Sequence, residues 1–282
     1  MRRPAGALLL LVAGVACGGG GDRVVVGSKN FTEQRILGEL LAQTIQAAGI
    51  PVQRKLDLGG TFVCDAALRA GQIDVYVEYT GTALTAVLKR PPDTDPARVL
   101  AAVREAYAAD GLVWMEPLGF DNTFALVVRP DAGVRTISEA VGPARAWTAA
   151  FGYEFQQRAD GYPALQRTYG IAFRVVRTMD LGLLYRALMD RQADVAVGSA
   201  TDAQIQTLDL VMLADDRHAF PPYEAVPVVR RATLERFHGL EAVLAGLAGK
   251  LSATTMQRLN AEVDGEHRSP AEVVRTLLAK GL

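Results

Sequence analysis

Leu58–Leu84 reads LGGTFVCDAALRAGQIDVYVEYTGTAL, and its grammar is that of an α/β protein. Gly59 and Gly60 free the backbone, and Thr61 is placed to cap a helix running to about Ala70. Gly71 ends that helix. Ile73, Val75 and Val77 then alternate with Asp74, Tyr76 and Glu78, as in a short strand of a covered sheet. The strand stops at Tyr79, and Thr80-Gly81-Thr82 opens the next helix. Ligands of open α/β sheets sit at the carboxyl ends of strands, so Tyr79 and Thr82 stand where a ligand would.

Upstream, Val24–Val26 is a short strand followed by the polar loop Gly27–Phe31. Thr32 is a plausible cap for a helix over Glu33–Ala48, whose Ile36, Leu37, Leu40, Leu41 and Ile45 repeat at helical spacing. Val52–Leu56 is the next strand. This β-α-β order starts an α/β domain. Lys29 lies at a strand's carboxyl end beside a helix N-terminus, a position that suits an anion; a solvated surface lysine fits it equally.

Downstream, Asp95-Pro96 starts a helix to Ala109, and Leu112–Glu116 is strand-like. Thr123–Arg129 is a strand ended by Pro130, and Thr136 with Glu139 forms a capping box. Phe155–Ile171 is a helix end, a Gly-Tyr-Pro turn and a second short helix, with Arg158 just before the turn. Phe173–Arg177 and Asp194–Gly198 are strands around the helix Leu181–Arg191. Phe220-Pro221-Pro222-Tyr223 cannot be regular helix. Val226–Val229 returns to strand, and Leu234–Leu247, Ser252–Glu262 and Pro270–Ala279 are helical.

Half of the 282 residues are hydrophobic and 22% are charged, a composition that supports a sizeable core and commonly two domains at this length. The net charge is −1, and no basic excess points to nucleic acid. Arg2, Arg3 and the apolar run Ala7–Val15 fit a signal peptide. GVAC then resembles a bacterial lipobox, with Gly14 where leucine is usual, so Cys17 is either lipidated or simply follows a cleavage site. Residues 1–17 are thus leader and 18–23 a glycine-rich linker. Cys64 reads as a small core residue. His218, His238 and His267 are scattered and form no metal-ligand set. No cofactor is implied.

The chain also echoes itself. ALRAGQIDVYVEYTGT (Ala67–Thr82) and ALMDRQADVAVGSATD (Ala187–Asp202) share six of sixteen positions, among them Asp74/Asp194 and Val75/Val195. Two ordinary helix-strand units would look alike, but the spacing is about one domain's length, as in two related lobes. The match sets Ser199 opposite Tyr79, both at strand ends facing one cleft, and domain interfaces are preferred ligand sites.

Five stretches in order, VGSKNFTEQRILGELLA (Val26–Ala42), Leu58–Leu84, RADGYPALQRTYGI (Arg158–Ile171), FPPYEAVPVVR (Phe220–Arg230) and LNAEVDGEHRSPAEVVRTLL (Leu259–Leu278), resemble the extracytoplasmic substrate-binding proteins of quaternary-amine ABC importers. That family takes up glycine betaine, choline, carnitine and proline betaine. The resemblance implies a two-lobed type II periplasmic-binding-protein fold with two hinge crossings near Asn122 and Val226. One lobe would combine 24–122 with 227–282, and the other would be 123–226. A trimethylammonium group has no N–H donor, and aromatic faces replace its water at ~0.5–2 kcal/mol each. The matching motifs imply that Tyr79 and Tyr223 are cage walls, and that Lys29, Arg158 and Thr82 hold a carboxylate; without the resemblance, both tyrosines would read as ordinary core.

Two positions depart from the family. Phe124 stands where tyrosine is usual and keeps its ring face. Ser199 replaces a cage tyrosine outright, at a cost of about 1–2 kcal/mol, or roughly tenfold in affinity. The space it leaves would suit a bulkier zwitterion such as ergothioneine or another amino-acid derivative. The resemblance implies a monomeric, non-enzymatic receptor. It would be tethered by Cys17 on the extracytoplasmic face of the membrane and would deliver solute to a permease on a separate chain. An enzyme on the same fold and a sensory role are the competing classes, but no GxSxG elbow, P-loop or HExxH is present.

Overall fold

The structure is a computed structural model that describes residues 23–282. The leader, Cys17 and nearly all of the 18–23 linker lie outside the described residues. The chain opens with β1 (Val24–Gly27), α1 (Thr32–Ala47), β2 (Val52–Lys55), α2 (Thr61–Arg69) and β3 (Val75–Tyr79). A single turn, α3 (Thr80–Thr82), passes into a π-helical turn over Ala83–Val87, then come α4 (Pro96–Ala108) and β4 (Leu112–Trp114). β5 (Phe124–Val128), α5 (Ile137–Ala144), β6 (Thr148–Phe151), α6 (Tyr153–Gln157) and α7 (Tyr162–Tyr169) follow. Next are β7 (Val175–Thr178), α8 (Leu181–Met189), β8 (Val195–Ser199), α9 (Ala203–Thr207) and β9 (Val211–Met212). β10 (Ala225–Arg230), within which the expected lobe limit at Val226 falls, leads to α10 (Arg231–Arg236), α11 (Leu240–Ala245), α12 (Ala253–Asp264) and α13 (Pro270–Ala279).

Two five-stranded sheets result, ordered β2-β1-β3-β10-β4 and β7-β6-β8-β5-β9. The chain passes from the first to the second between Trp114 and Phe124, and returns between Met212 and Ala225. In each sheet the central strand, β3 or β8, runs parallel to one neighbour and antiparallel to the strand at the crossing. The internal echo is built into this plan. Asp74 accepts from Val25 N–H at 2.8 Å and donates its own N–H to the Val25 carbonyl at 2.7 Å. Asp194 does the same with Thr148, at 2.8 and 2.8 Å. One clamp thus sets strand register in both halves.

The stripe Ile36, Leu37, Leu40, Leu41 and Ile45 is fully buried and packs α1 on the first sheet. β3 is buried on both faces, so its alternation does not divide core from solvent. Asp95 caps α4, and Thr136–Glu139 is a complete capping box. Two expected caps are corrected. Phe31 and Gly60, not Thr32 and Thr61, occupy the N-cap positions, and the Thr32 hydroxyl instead donates to Asp264 at 2.7 Å. The expected helix 234–247 is two helices, broken at Gly239 (φ 89°). β6 and α9 were not anticipated. Among the described residues no helix is long and apolar enough to cross a membrane.

Candidate functional site

At the carboxyl end of β3, Tyr79 is buried and its hydroxyl donates to Glu33 on α1. Phe31 stacks beside it, with centroids 6.4 Å apart and planes 20° apart. Lys29, 3% exposed, is ion-paired with the fully buried Glu78, and its Nζ lies 4.9 Å from the Tyr79 ring centroid. Burial raises the Glu33 carboxyl, against the pull of its hydrogen bonds from Thr201, Tyr79 and Asn260. Burial, reinforced by Glu33, drives the Tyr79 phenol well above the usual range, so it stays a hydrogen-bond donor.

A second group lies across the crossings. The Phe124 ring meets Tyr223 at 5.7 Å, Phe155 at 5.0 Å and Phe220 at 5.6 Å, all near edge-to-face, a favourable geometry for aromatic pairs. The Arg158 guanidinium sits 5.3 Å from the Phe124 centroid, donates to Asp160 through Nε and NH2 at 2.9 and 2.7 Å, and reaches the Tyr223 hydroxyl at 3.2 Å. The Tyr223 hydroxyl itself donates to Asp160. Burial alone would raise Asp160, but Arg158 and Tyr223 hold it below the ordinary carboxylate range.

Tyr223 joins the two groups. Thr80 donates to the Pro222 carbonyl at 3.1 Å and accepts from Glu224 N–H at 3.1 Å. Gly81 lies so close that a Cβ there would meet the Pro222 carbonyl oxygen at 2.5 Å and the Tyr223 ring at 2.9 Å. The Thr-Gly-Thr turn is therefore docked on the returning crossing. Tyr79 and Tyr223 share one buried cluster, with Phe124 packed against it. Asp121 accepts the Tyr223 N–H at 2.8 Å, and burial pushes its carboxyl up to about 6. Thr82 is half-buried on α3, beside Gly81.

Ser199 lies directly across the ladder from Phe124 and borders a cavity of about 970 Å3 at the carboxyl ends of β6 and β8. A second cleft, of about 540 Å3, runs between Thr85–Pro92 and Arg158–Asp160. Of the seven residues singled out in the sequence, Lys29 and Tyr79 fall in one group and Phe124, Arg158 and Ser199 in another, with Tyr223 between them, and Thr82 lies on the α3 turn that follows Tyr79. What the sequence reading missed is their counter-charge and bracing: Glu33, Asp160, Asn122 and Asn260. Asp160, two residues from Arg158, was the one with a local signal. Among the described residues no group of side chains has the makings of a metal site.

The arrangement is charge-balanced. The Tyr79 and Phe124 rings each carry a basic side chain of the protein, Lys29 and Arg158, and each of those is matched by a buried carboxylate, Glu78 and Asp160. A ligand carrying both charges can replace both partners without leaving either unpaired, whereas a bare cation or anion cannot.

Three comparisons bear on this geometry. The family described as the substrate binding domain of ABC-type glycine betaine transport systems matches residues 22–280. The carnitine transport binding protein OpuCC of Listeria monocytogenes is 33% identical over 267 residues, covering 92% of this chain and 87% of that one. A glycine-betaine-binding protein of Pseudomonas aeruginosa is 33% identical over 295 residues, covering 99% and 94%. The crystal structure of a glycine betaine/carnitine/choline ABC transporter protein superposes with a TM-score of 0.86 at 31% identity, covering 91% of this chain and 98% of that one.

Proposed function

Since the chain belongs to the substrate-binding family of ABC-type glycine betaine transport systems, we propose that it captures a betaine by exchanging its internal ion pairs for those of the ligand. The trimethylammonium group takes the faces of Tyr79, Phe124 and Tyr223. In doing so it displaces the Lys29 ammonium from Tyr79 and the Arg158 guanidinium from Phe124. Both then turn to the ligand carboxylate, with Thr82 adding a hydroxyl donor. The observation that carries this reading is the pairing of the Tyr79 and Phe124 faces with Lys29 and Arg158, and of each of those cations with a buried carboxylate.

The role is capture and delivery, without turnover. Halves made of 24–122 with 227–282 and of 123–226 rotate about the two crossings and close over the solute. The closed receptor, a monomer held to the extracytoplasmic face by lipid on Cys17, presents it to a permease on a separate chain. A second reading, the same role for a bulkier zwitterion, is favoured by Ser199 and the cavity beside it.

Isothermal titration with glycine betaine, carnitine, choline and ergothioneine tests the reading. The zwitterions should bind, with choline weaker because it offers no carboxylate to the two basic groups. Silence towards all four would overturn the assignment.

A further inference from the structure

The cavity at Ser199 is larger than a trimethylammonium group and its carboxylate require. About 970 Å3 lies near the top of the ~300–1,000 Å3 range of small-molecule sites. Phe124, a cage position, lines it together with residues of α8 and α9. Phe155, Met179, Leu184 and Met189 give it apolar walls.

One wall is polar and organised. Asp202 lines the cavity, and its Oδ2 accepts from the Tyr185 hydroxyl at 2.7 Å and from Ser199 N–H at 2.9 Å. Two donors on one oxygen fix the carboxylate. Its Oδ1 has no protein partner among the described residues. Gly198 makes this possible, since a Cβ there would fall 2.1 Å from the Tyr185 hydroxyl and 2.4 Å from Asp202 Oδ2. Asp180 and Asp264 also line the cavity, against Arg186 as the basic residue, so its charge favours donors over a second anion.

Resting on the receptor reading above, we infer that this chamber is a second subsite of the ligand site. It takes the side chain of an amino-acid betaine that carries an N–H donor. The betaine head stays on the aromatic faces, the side-chain body lies against the apolar walls, and the N–H meets Asp202 Oδ1. Ser199 is then a doorway: tyrosine there would close the chamber off from the cage.

The test titrates the full-length chain with glycine betaine, phenylalanine betaine and histidine betaine. The three share one head, and the latter two differ in whether the side chain donates a hydrogen bond. Both larger betaines should bind more tightly than glycine betaine. Histidine betaine should exceed phenylalanine betaine by about tenfold, as expected for a hydrogen bond to a charged acceptor. Asp202→Asn should erase that tenfold difference. Ser199→Tyr should weaken both larger betaines at least tenfold and strengthen glycine betaine. If the unmodified chain binds glycine betaine as tightly as either larger compound, the chamber is overturned and the receptor role stands. If no betaine binds, the receptor role falls and the chamber with it. The comparison on the unmodified chain decides the matter even where a variant fails to fold.

Discussion

Taking the carboxylate from Glu78 would leave the Lys29 ammonium in a site only 3% open to water. A buried pair of this kind gives little net stability as a pair, because desolvation offsets the attraction, but breaking it strands a charge at about 3–5 kcal/mol. Glu78→Gln should therefore lower the melting temperature by about 10 °C in a chain this size, and Lys29→Met should also destabilise. A fall of under 2 °C for Glu78→Gln would mean that the ammonium has other support. Asp121 gives a second prediction at this scale. Its carboxyl is raised by burial, and further by Glu224, to about 6, against about 3.9 in an unfolded chain. The folded state therefore takes up a proton, as pH falls through 6, that the unfolded state takes up only near 4. Between those values stability from this group rises as pH falls, and above pH 6 it is absent. Asp121→Asn can keep the bond from Tyr223 N–H and carries no charge. With solvent screening allowed for, it should be about 1–2 kcal/mol more stable than the parent at pH 7.5 and equal to it near pH 4. Urea unfolding at both pH values reads the difference; a constant offset would show that Asp121 is not the titrating group.

At the scale of elements, the readable parts were those whose signal is local. The Asp95 cap, the Thr136 box and the repeat around β3 and β8 each rest on residues close in sequence. Thr32 failed as a cap because local chemistry competes with tertiary partners: the Asp264 carboxylate, 232 positions away, takes its hydroxyl. β6, TAAF, is short, buried throughout and has two alanines at its centre, so it shows no alternation of apolar and polar residues. The motif residues of the site were legible through the family pattern, which records what recurs along a chain. Glu33 was not, because its role exists only once Tyr79, Asn122 and Asn260 converge on it from three distant segments. One close element contact is that of α3 with the returning crossing, where a Cβ on Gly81 would meet the Pro222 carbonyl oxygen at 2.5 Å. Gly81→Ala should push Pro222 and Tyr223 away from β3, at about 1–3 kcal/mol as for an overpacked core, and should weaken betaine binding by displacing a cage ring. Gly142 on α5, where a Cβ would meet nothing within 4 Å and which lies away from the cavity, is the control: its alanine variant should bind as the parent does. Equal affinities for both variants would detach Tyr223 from the ligand.

For the whole molecule the question is how the two sheets communicate, and α12 holds the answer. It follows the second crossing and packs on α1 beside the first sheet, yet it also packs on α9 of the second. Gln257 on α12 donates to the Ala200 carbonyl at 2.7 Å, and Asn260 donates to the Thr201 carbonyl at 2.9 Å. Ala200 and Thr201 adjoin Ser199, so the contact between the sheets' helices touches the segment bordering the cavity of about 970 Å3. Asn260 also reaches Glu33, which makes it a poor probe of the span alone. Gln257 reaches only the Ala200 carbonyl and is the cleaner choice. A hydrogen bond of this kind contributes about 0.5–1.5 kcal/mol net, and where it exists in one arrangement of the halves and not the other, its loss shifts the balance between them by that amount. Gln257→Ala should therefore raise the radius of gyration of the unliganded chain in small-angle scattering, and saturating glycine betaine should restore the compact value. The dissociation constant should rise about fivefold, carried by faster release. Scattering and affinity both unchanged would mean that α9 and α12 travel together as one body, and that closure is borne by the crossings at Asn122 and Tyr223 alone.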